Sequence, residues 1–201
     1  MSAHRWSGVI GLTALALTAC GSGSGSTPGV VSGGAPGNQV GSGSVVADLI
    51  ASVPQPSADE QKILDDVNAA RAQPRDCDST HRYGAASPLT WNAQLAGAAL
   101  AHSQDMAQNG YNEADPHAGS DGNSAQQRIE RAGYTNWSSN GENVAAGYTV
   151  GGPNDVVAAW LASPGHCENI MNPQFREIGI SFVALRGARY NGFFTQDFGS
   201  K

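Results

Sequence analysis

The 201 residues are 40% apolar and carry a formal net charge of −6, which suffices for one domain with its own core. The excess of acid and the lack of any Lys/Arg run exclude nucleic acid and anionic membrane faces as partners of the folded part. No long apolar stretch follows the first twenty residues, which excludes a spanning helix from the mature chain.

Residues 1–19 read as an export signal: Arg5 is the positive end, VIGLTALALTA is a short apolar segment, and small residues follow. Losing them, with one arginine and no acid, takes the net charge to −7. The run is too short to stay as an anchor and ends in Leu17-Thr18-Ala19-Cys20, which resembles a bacterial lipobox. Read so, Cys20 becomes an acylated, palmitate-bearing first residue, and the membrane is its partner; the alternative is ordinary cleavage near Ala19 with a free Cys20. Acyl chains contribute about 0.8 kcal/mol per buried methylene, so several would hold the protein firmly. Residues 20–56 form a tether. Its Gly/Ser-rich part, Gly21 to Ser44, cannot offset ordering entropy and spans about 25–30 Å as flexible coil. Val45 to Val53 is a short apolar patch that either docks on the domain or forms a loose helix.

The domain occupies residues 57–201. Ser57-Ala-Asp-Glu60 fits a capping box, Ile63, Leu64, Val67 and Ala70 follow at helical spacing, and Pro74 stops that helix. Trp91, Leu95, Ala98, Ala99, His102 and Met106 mark one face of a second helix that Asn109-Gly110 ends. Ser124 to Gln127 is another capping box, opening a short helix through Ile129 and Ala132. A fourth helix, capped by Asn154 or Asp155, carries Val156, Val157, Trp160 and Leu161 and stops at Pro164. The stretch SPGHCENIMNPQF then reads as turn-like. From EIGISFVAL the period is two, and RGAR turns into a second strand around Tyr190 to Phe198. Helices first and a terminal hairpin last describe an α+β domain with helices on a mostly antiparallel sheet.

With Cys20 acylated, an oxidising compartment leaves one natural pairing, Cys77–Cys167, closing a loop of about 90 residues. The alternative is a catalytic Cys167 thiol beside His166, which would have to stay reduced. His102 sits on an apolar helix face and is expected to be a core histidine. His81 is expected in a loop, and His4 leaves with the signal. Asp121-Gly122-Asn123 lacks the spacing of a calcium loop and reads as a turn. No G-x-S-x-G elbow surrounds Ser163, so a Ser–His hydrolase is not indicated. Of the tryptophans, only Trp137 lies in a segment where exposure is expected.

PLTWNAQLAGAALAHSQDMAQNGY, HAGSDGNSAQQRIERAGY, GENVAAG, AAWLASPGHCENIMNP and EIGISF occur in the order seen in the CAP (SCP-like) superfamily of cysteine-rich secretory, antigen 5 and pathogenesis-related proteins. The resemblance covers about Asp59 to Gly199 and is to the short bacterial form. It implies an α-β-α sandwich and a cleft lined by two histidines and two glutamates. These fall on His117, Glu142 and His166; the remaining glutamate position, three residues after Trp160, holds Ser163.

The resemblance implies that His117 and His166, 49 positions apart, hold a divalent ion such as zinc, with Glu142 or water completing the shell. Against this stands a purely structural polar cluster. Three functions follow in order: a non-catalytic envelope-anchored module binding a lipid-like or other small ligand, a structural lipoprotein that docks a partner, and a metal-assisted hydrolase with Glu142 as general base. The expected location is a bacterial cell-envelope membrane, on its periplasmic or extracellular face.

Overall fold

The computed structural model describes residues 55–147, 153–187 and 189–201. The export signal, Cys20, the Gly/Ser-rich tether and the Val45–Val53 patch lie outside the described residues. Helix α1, Ala58–Arg71, starts where the capping box places it: Ser57 Oγ accepts from Glu60 N at 3.3 Å, and Glu60 Oε2 accepts from Ser57 N at 2.9 Å. At its last turn Arg71 is fully buried and donates to Ser87 O at 2.8 Å, Ile170 O at 2.6 Å and Asn172 O at 2.9 Å. Burial, with Arg176 nearby, lowers this guanidinium to about 10.

A short antiparallel ribbon follows, β1 (Arg75–Asp76) with β2 (Arg82–Tyr83), and then β3 (Thr90–Trp91). Helix α2 spans Ala93–Asn109. Asn92 is extended, and its Oδ1 accepts from Gln94 N and Leu95 N at 2.9 and 3.2 Å. Trp91, expected on the helix face, therefore belongs to the strand before this cap. Helix α3, Ala125–Arg131, opens on the Ser124–Gln127 capping box. Strand β4, Ser139–Ala146, carries the GEN segment and was not expected.

Helix α4, Pro153–Leu161, starts at its proline rather than behind a cap at Asn154 or Asp155. The stretch read as turn-like holds helix α5, Pro164–Met171. Pro164 does not only end a helix; it occupies the first turn of the next, where its missing N–H is not needed. The hairpin β5 (Glu177–Ala184) and β6 (Gly192–Ser200) closes the chain.

Four strands pair in the order β3-β5-β6-β4, with β3 parallel to β5 and the other pairs antiparallel. Strand alternation then builds two layers. Ile178, Ile180, Phe194 and Phe198 share a core with Ile63 and Val67 of α1, Val156 and Trp160 of α4 and Ile170 of α5. On the opposite face α2 lies directly on the sheet. A Cβ on Gly179 would stand 1.9 Å from Ala96 N, so only glycine lets these backbones meet. Ser103 Oγ of α2 donates to Thr195 Oγ1 of β6 at 2.9 Å. The result is the expected α+β sandwich, helix layers on both faces of a mixed, mostly antiparallel sheet.

Cys77 and Cys167 are joined, with Cα atoms 5.5 Å apart. The bond ties the turn after β1 to α5, as parity implied, and removes Cys167 from nucleophilic chemistry.

Candidate functional site

Edge strand β4 divides the site. Its alternation sends Glu142 and Val144 toward the α2 layer, where Val144 packs on Met106 and Phe193. Asn143 goes toward α5: its Nδ2 donates to His166 O at 3.1 Å and Gln196 Oε1 at 3.2 Å. Asn169 Nδ2 donates to Asn143 Oδ1 at 2.9 Å and to Glu142 O at 3.1 Å. This ladder fixes where α5, and so His166, stands relative to the strand.

His117 sits in the loop between α2 and α3. Asp115 Oδ1 accepts its backbone N–H at 3.3 Å, and His102 Nε2 donates to the neighbouring Pro116 O at 2.8 Å. From α3, the buried Arg128 donates to Asn123 O at 2.8 Å and to His117 O at 3.0 Å. The loop is thus held at both ends by side chains of the helices that flank it.

His117 Nδ1 lies 2.8 Å from Glu142 Oε1, and Arg128 Nη2 lies 2.7 Å from Oε2. A carboxylate can only accept here, so Nδ1 carries the proton. The hydrogen bond and charge of Glu142 raise His117 above the ordinary imidazole value, overcoming its burial. Burial pushes Glu142 upward, but the His117 hydrogen bond and the Arg128 charge outweigh it and hold the carboxyl below its usual range. The His117 side chain is 45% exposed while that of Glu142 is 2% exposed. Of this pair, only the imidazole can meet a ligand.

His166, in the first turn of α5, is lowered by burial and by the nearby charge on His117. The two histidines thus flank the edge strand in electrostatic contact, one favouring its charged form and one its neutral form. His166 and Ser163 line a hollow of about 270 Å³ with Tyr111, Val144 and Trp160. Ser163, at the position where the family resemblance puts a second glutamate, makes no side-chain capping bond to α5.

A second carboxyl is nevertheless present. Asp197 of β6 stands directly opposite Glu142 in the β4–β6 register and is completely buried. Among the described residues its oxygens receive no hydrogen bond, and Glu142 lies beside it. Burial, then the charge of Glu142, raise Asp197 well above a normal carboxyl and favour its protonated form.

Arg128 and Asp197 escape sequence reasoning. QQRIER shows only an amphipathic helix. FFTQDFG does hold a signal, since Asp197 falls in phase with Phe193 and Thr195 on a buried strand face. His102 is a core histidine as expected, fully buried, lowered chiefly by burial, with its Nδ1 unpartnered among the described residues. His81 is a loop residue, and Asp121-Gly122 is a turn. Trp137 is half-buried against the cluster of Leu95, Ile129 and Tyr134. Among the described residues, the one set of three His, Cys, Asp or Glu donors mutually within 4.8 Å is Asp78, His81 and Glu168, and it includes none of His117, Glu142 and His166.

The cysteine-rich secretory protein family, CAP, matches residues 64–198. YkwD of Bacillus subtilis (strain 168) is 33% identical over 127 residues, 63% of this chain and 43% of that protein. The membrane protein YlbC of the same organism is 32% identical over 121 residues, 60% of this chain and 30% of that protein. The chain therefore spans less than half the length of either. Among solved structures, an extracellular SCP-domain protein of Bacillus anthracis str. Ames matches with TM-score 0.51 and 28% identity, over 74% of this chain and 45% of that one. An outer surface protein of Borrelia burgdorferi shares the fold with TM-score 0.55 and 21% identity, over 74% of this chain and 96% of that one. With the sandwich, the bridge and the His117–Glu142 pair beside these matches, the chain belongs to the CAP family of cysteine-rich secretory proteins, in a bacterial form.

Proposed function

We propose that this CAP domain is a non-catalytic binding module, exported and held on a bacterial cell envelope by an acylated Cys20. Its cleft takes a small ligand with an oxygen-rich head and an apolar tail. The Leu-Thr-Ala-Cys motif supports the anchor. The likeness to the extracellular Bacillus anthracis protein supports export.

The observation that carries this reading is the engagement of both Glu142 oxygens, one by His117 and one by Arg128. Such a carboxylate is a poor general base, because taking a proton would break a charge-assisted bond in a buried site. The same bonds fit a resident divalent ion badly. Glu142 has no free oxygen and His117 Nδ1 is protonated, so the cleft offers only His117 Nε2 and the His166 ring, fewer ligands than a zinc shell needs. What the pair does present is the half-exposed His117 ring, whose charged form Glu142 favours and which then suits an anionic or carbonyl oxygen. Neutral His166 and the Trp160, Val144 and Tyr111 hollow suit the rest of such a molecule.

The test titrates the full chain with dodecyl phosphate, following the His117 ring by NMR. Saturable binding is expected, weakened roughly tenfold or more by His117→Gln for the loss of a charged hydrogen bond. It should also weaken as pH rises through the elevated His117 pKa. Binding indifferent to His117→Gln would leave the partner-docking role instead. Turnover of a peptide or ester library, abolished by Glu142→Gln, would put the hydrolase first.

A further inference from the structure

We propose that Asp78, His81 and Glu168 form a divalent-cation site of zinc type, separate from the cleft. His81 Nδ1 lies 2.8 Å from Asp78 Oδ2 and 3.4 Å from Glu168 Oε1, and all three donor atoms fall within 4.8 Å of one another. Donors about 2.0–2.1 Å from a tetrahedral ion stand about 3.3 Å apart, so these atoms are already spaced much as a coordination shell requires. One imidazole nitrogen and two carboxylates are a ligand set that zinc accepts, with water in the fourth position.

The charge at this point is unbalanced. Among the described residues, each of the two carboxylates has His81 as its one ion-pair partner, with no lysine or arginine on either. Even a protonated ring leaves one negative charge uncompensated, and a divalent ion replacing that proton would neutralise both. The ligands are also pre-positioned. Thr80 N, Thr80 Oγ1 and His81 N donate to Asp78 Oδ1 at 2.6, 2.8 and 2.7 Å, which turns Oδ2 toward the imidazole.

Asp78 and Glu168 each follow a bridged cysteine, so the Cys77–Cys167 bond delivers donors from segments 90 residues apart to one point. Tyr83 of β2 feels the same two carboxylates: burial, then the charges of Glu168 and Asp78, raise its phenol. The bridge therefore does more than brace the fold, since it assembles the two acidic ligands.

The experiment titrates zinc ion alone into the full chain carrying Cys20→Ser, so that no free thiol competes, with a competing chelator reporting free metal. One zinc per chain is expected. Uptake should weaken by about tenfold or more in Asp78→Asn and again in Glu168→Gln, and should persist in the His117→Ala, His166→Ala double variant. These ligand side chains are partly or mostly exposed, and unchanged thermal unfolding without zinc verifies that the variants fold. No saturable uptake below about 100 μM free zinc, a Kd corresponding to roughly −5.5 kcal/mol, overturns the proposal. Uptake that survives Asp78→Asn with Glu168→Gln, or that disappears with the cleft histidines, overturns it as well. Because the cleft variants are scored separately, failure here is distinguishable from failure of the ligand-binding reading.

Discussion

Asp197→Asn isolates the buried acid pair, and its effect can be worked from the geometry. Full burial, then the Glu142 carboxylate opposite, push Asp197 well above the ordinary carboxyl range in the folded protein. In the unfolded chain the same carboxyl titrates normally. Between those two pKa values the folded state binds one more proton than the unfolded state. The wild-type protein therefore loses about 1.4 kcal/mol of stability for each pH unit above the ordinary carboxyl range, until the folded-state carboxyl itself ionises. Asparagine keeps the size of the side chain and a donor toward Glu142 but has no proton to lose. At acidic pH the two chains should match within about 1 kcal/mol, one hydrogen bond's worth. As pH rises the variant should become progressively the more stable of the two. The assay is guanidinium unfolding of both chains at half-unit steps from about pH 4.5 to 7.5, the window above the ordinary carboxyl pKa, read as the difference in free energy; contributions of His117 and Glu142 cancel to first order. Parallel stability profiles, or a variant that falls further behind as pH rises, would refute the reasoning, because Asp197 would then be ionised and paired.

Arg128→Met should destabilise the domain by about 3–5 kcal/mol in thermal or chaotrope unfolding. It leaves the buried Glu142 carboxylate with one partner fewer and strands the carbonyls of His117 and Asn123. Cys77→Ser with Cys167→Ser should cost on the order of 4 kcal/mol, the loop-closure entropy of a 90-residue span, while the His117 ring resonances stay where they are.

What could be read in the sequence was what is decided locally. The boxes at Ser57–Glu60 and Ser124–Gln127 close within four residues, so their reciprocal bonds need nothing from the rest of the chain. Ile178, Ile180 and Phe198 gave the hairpin its inward face for the same reason, a period of two against one core. Strand β4 was hidden because SNGENVAA has no apolar alternation; its hydrogen bonds to β6 and the polar side chains packed on it make it a strand. Helix α5 was hidden by Pro164-Gly165, a turn signal that also opens helices. The His117–Glu142 approach came from the family resemblance and was not deducible from spacing. Asp197 left only its phase with Phe193 and Thr195 as a signal, since β6 is buried at every residue by its neighbours and not by an alternation of its own.

Arg71 binds the first helix to carbonyls 99 and 101 positions later in the chain. A polypeptide emerging from its N-terminus offers that guanidinium Ser87 O early, but its other acceptors are missing until residues 170 to 172 have been made, and the central β6 is later still. Until then the guanidinium is only partly satisfied, and the first helix lacks most of the core it packs on. The architecture therefore postpones closure of this core until α5, β5 and β6 have all been made.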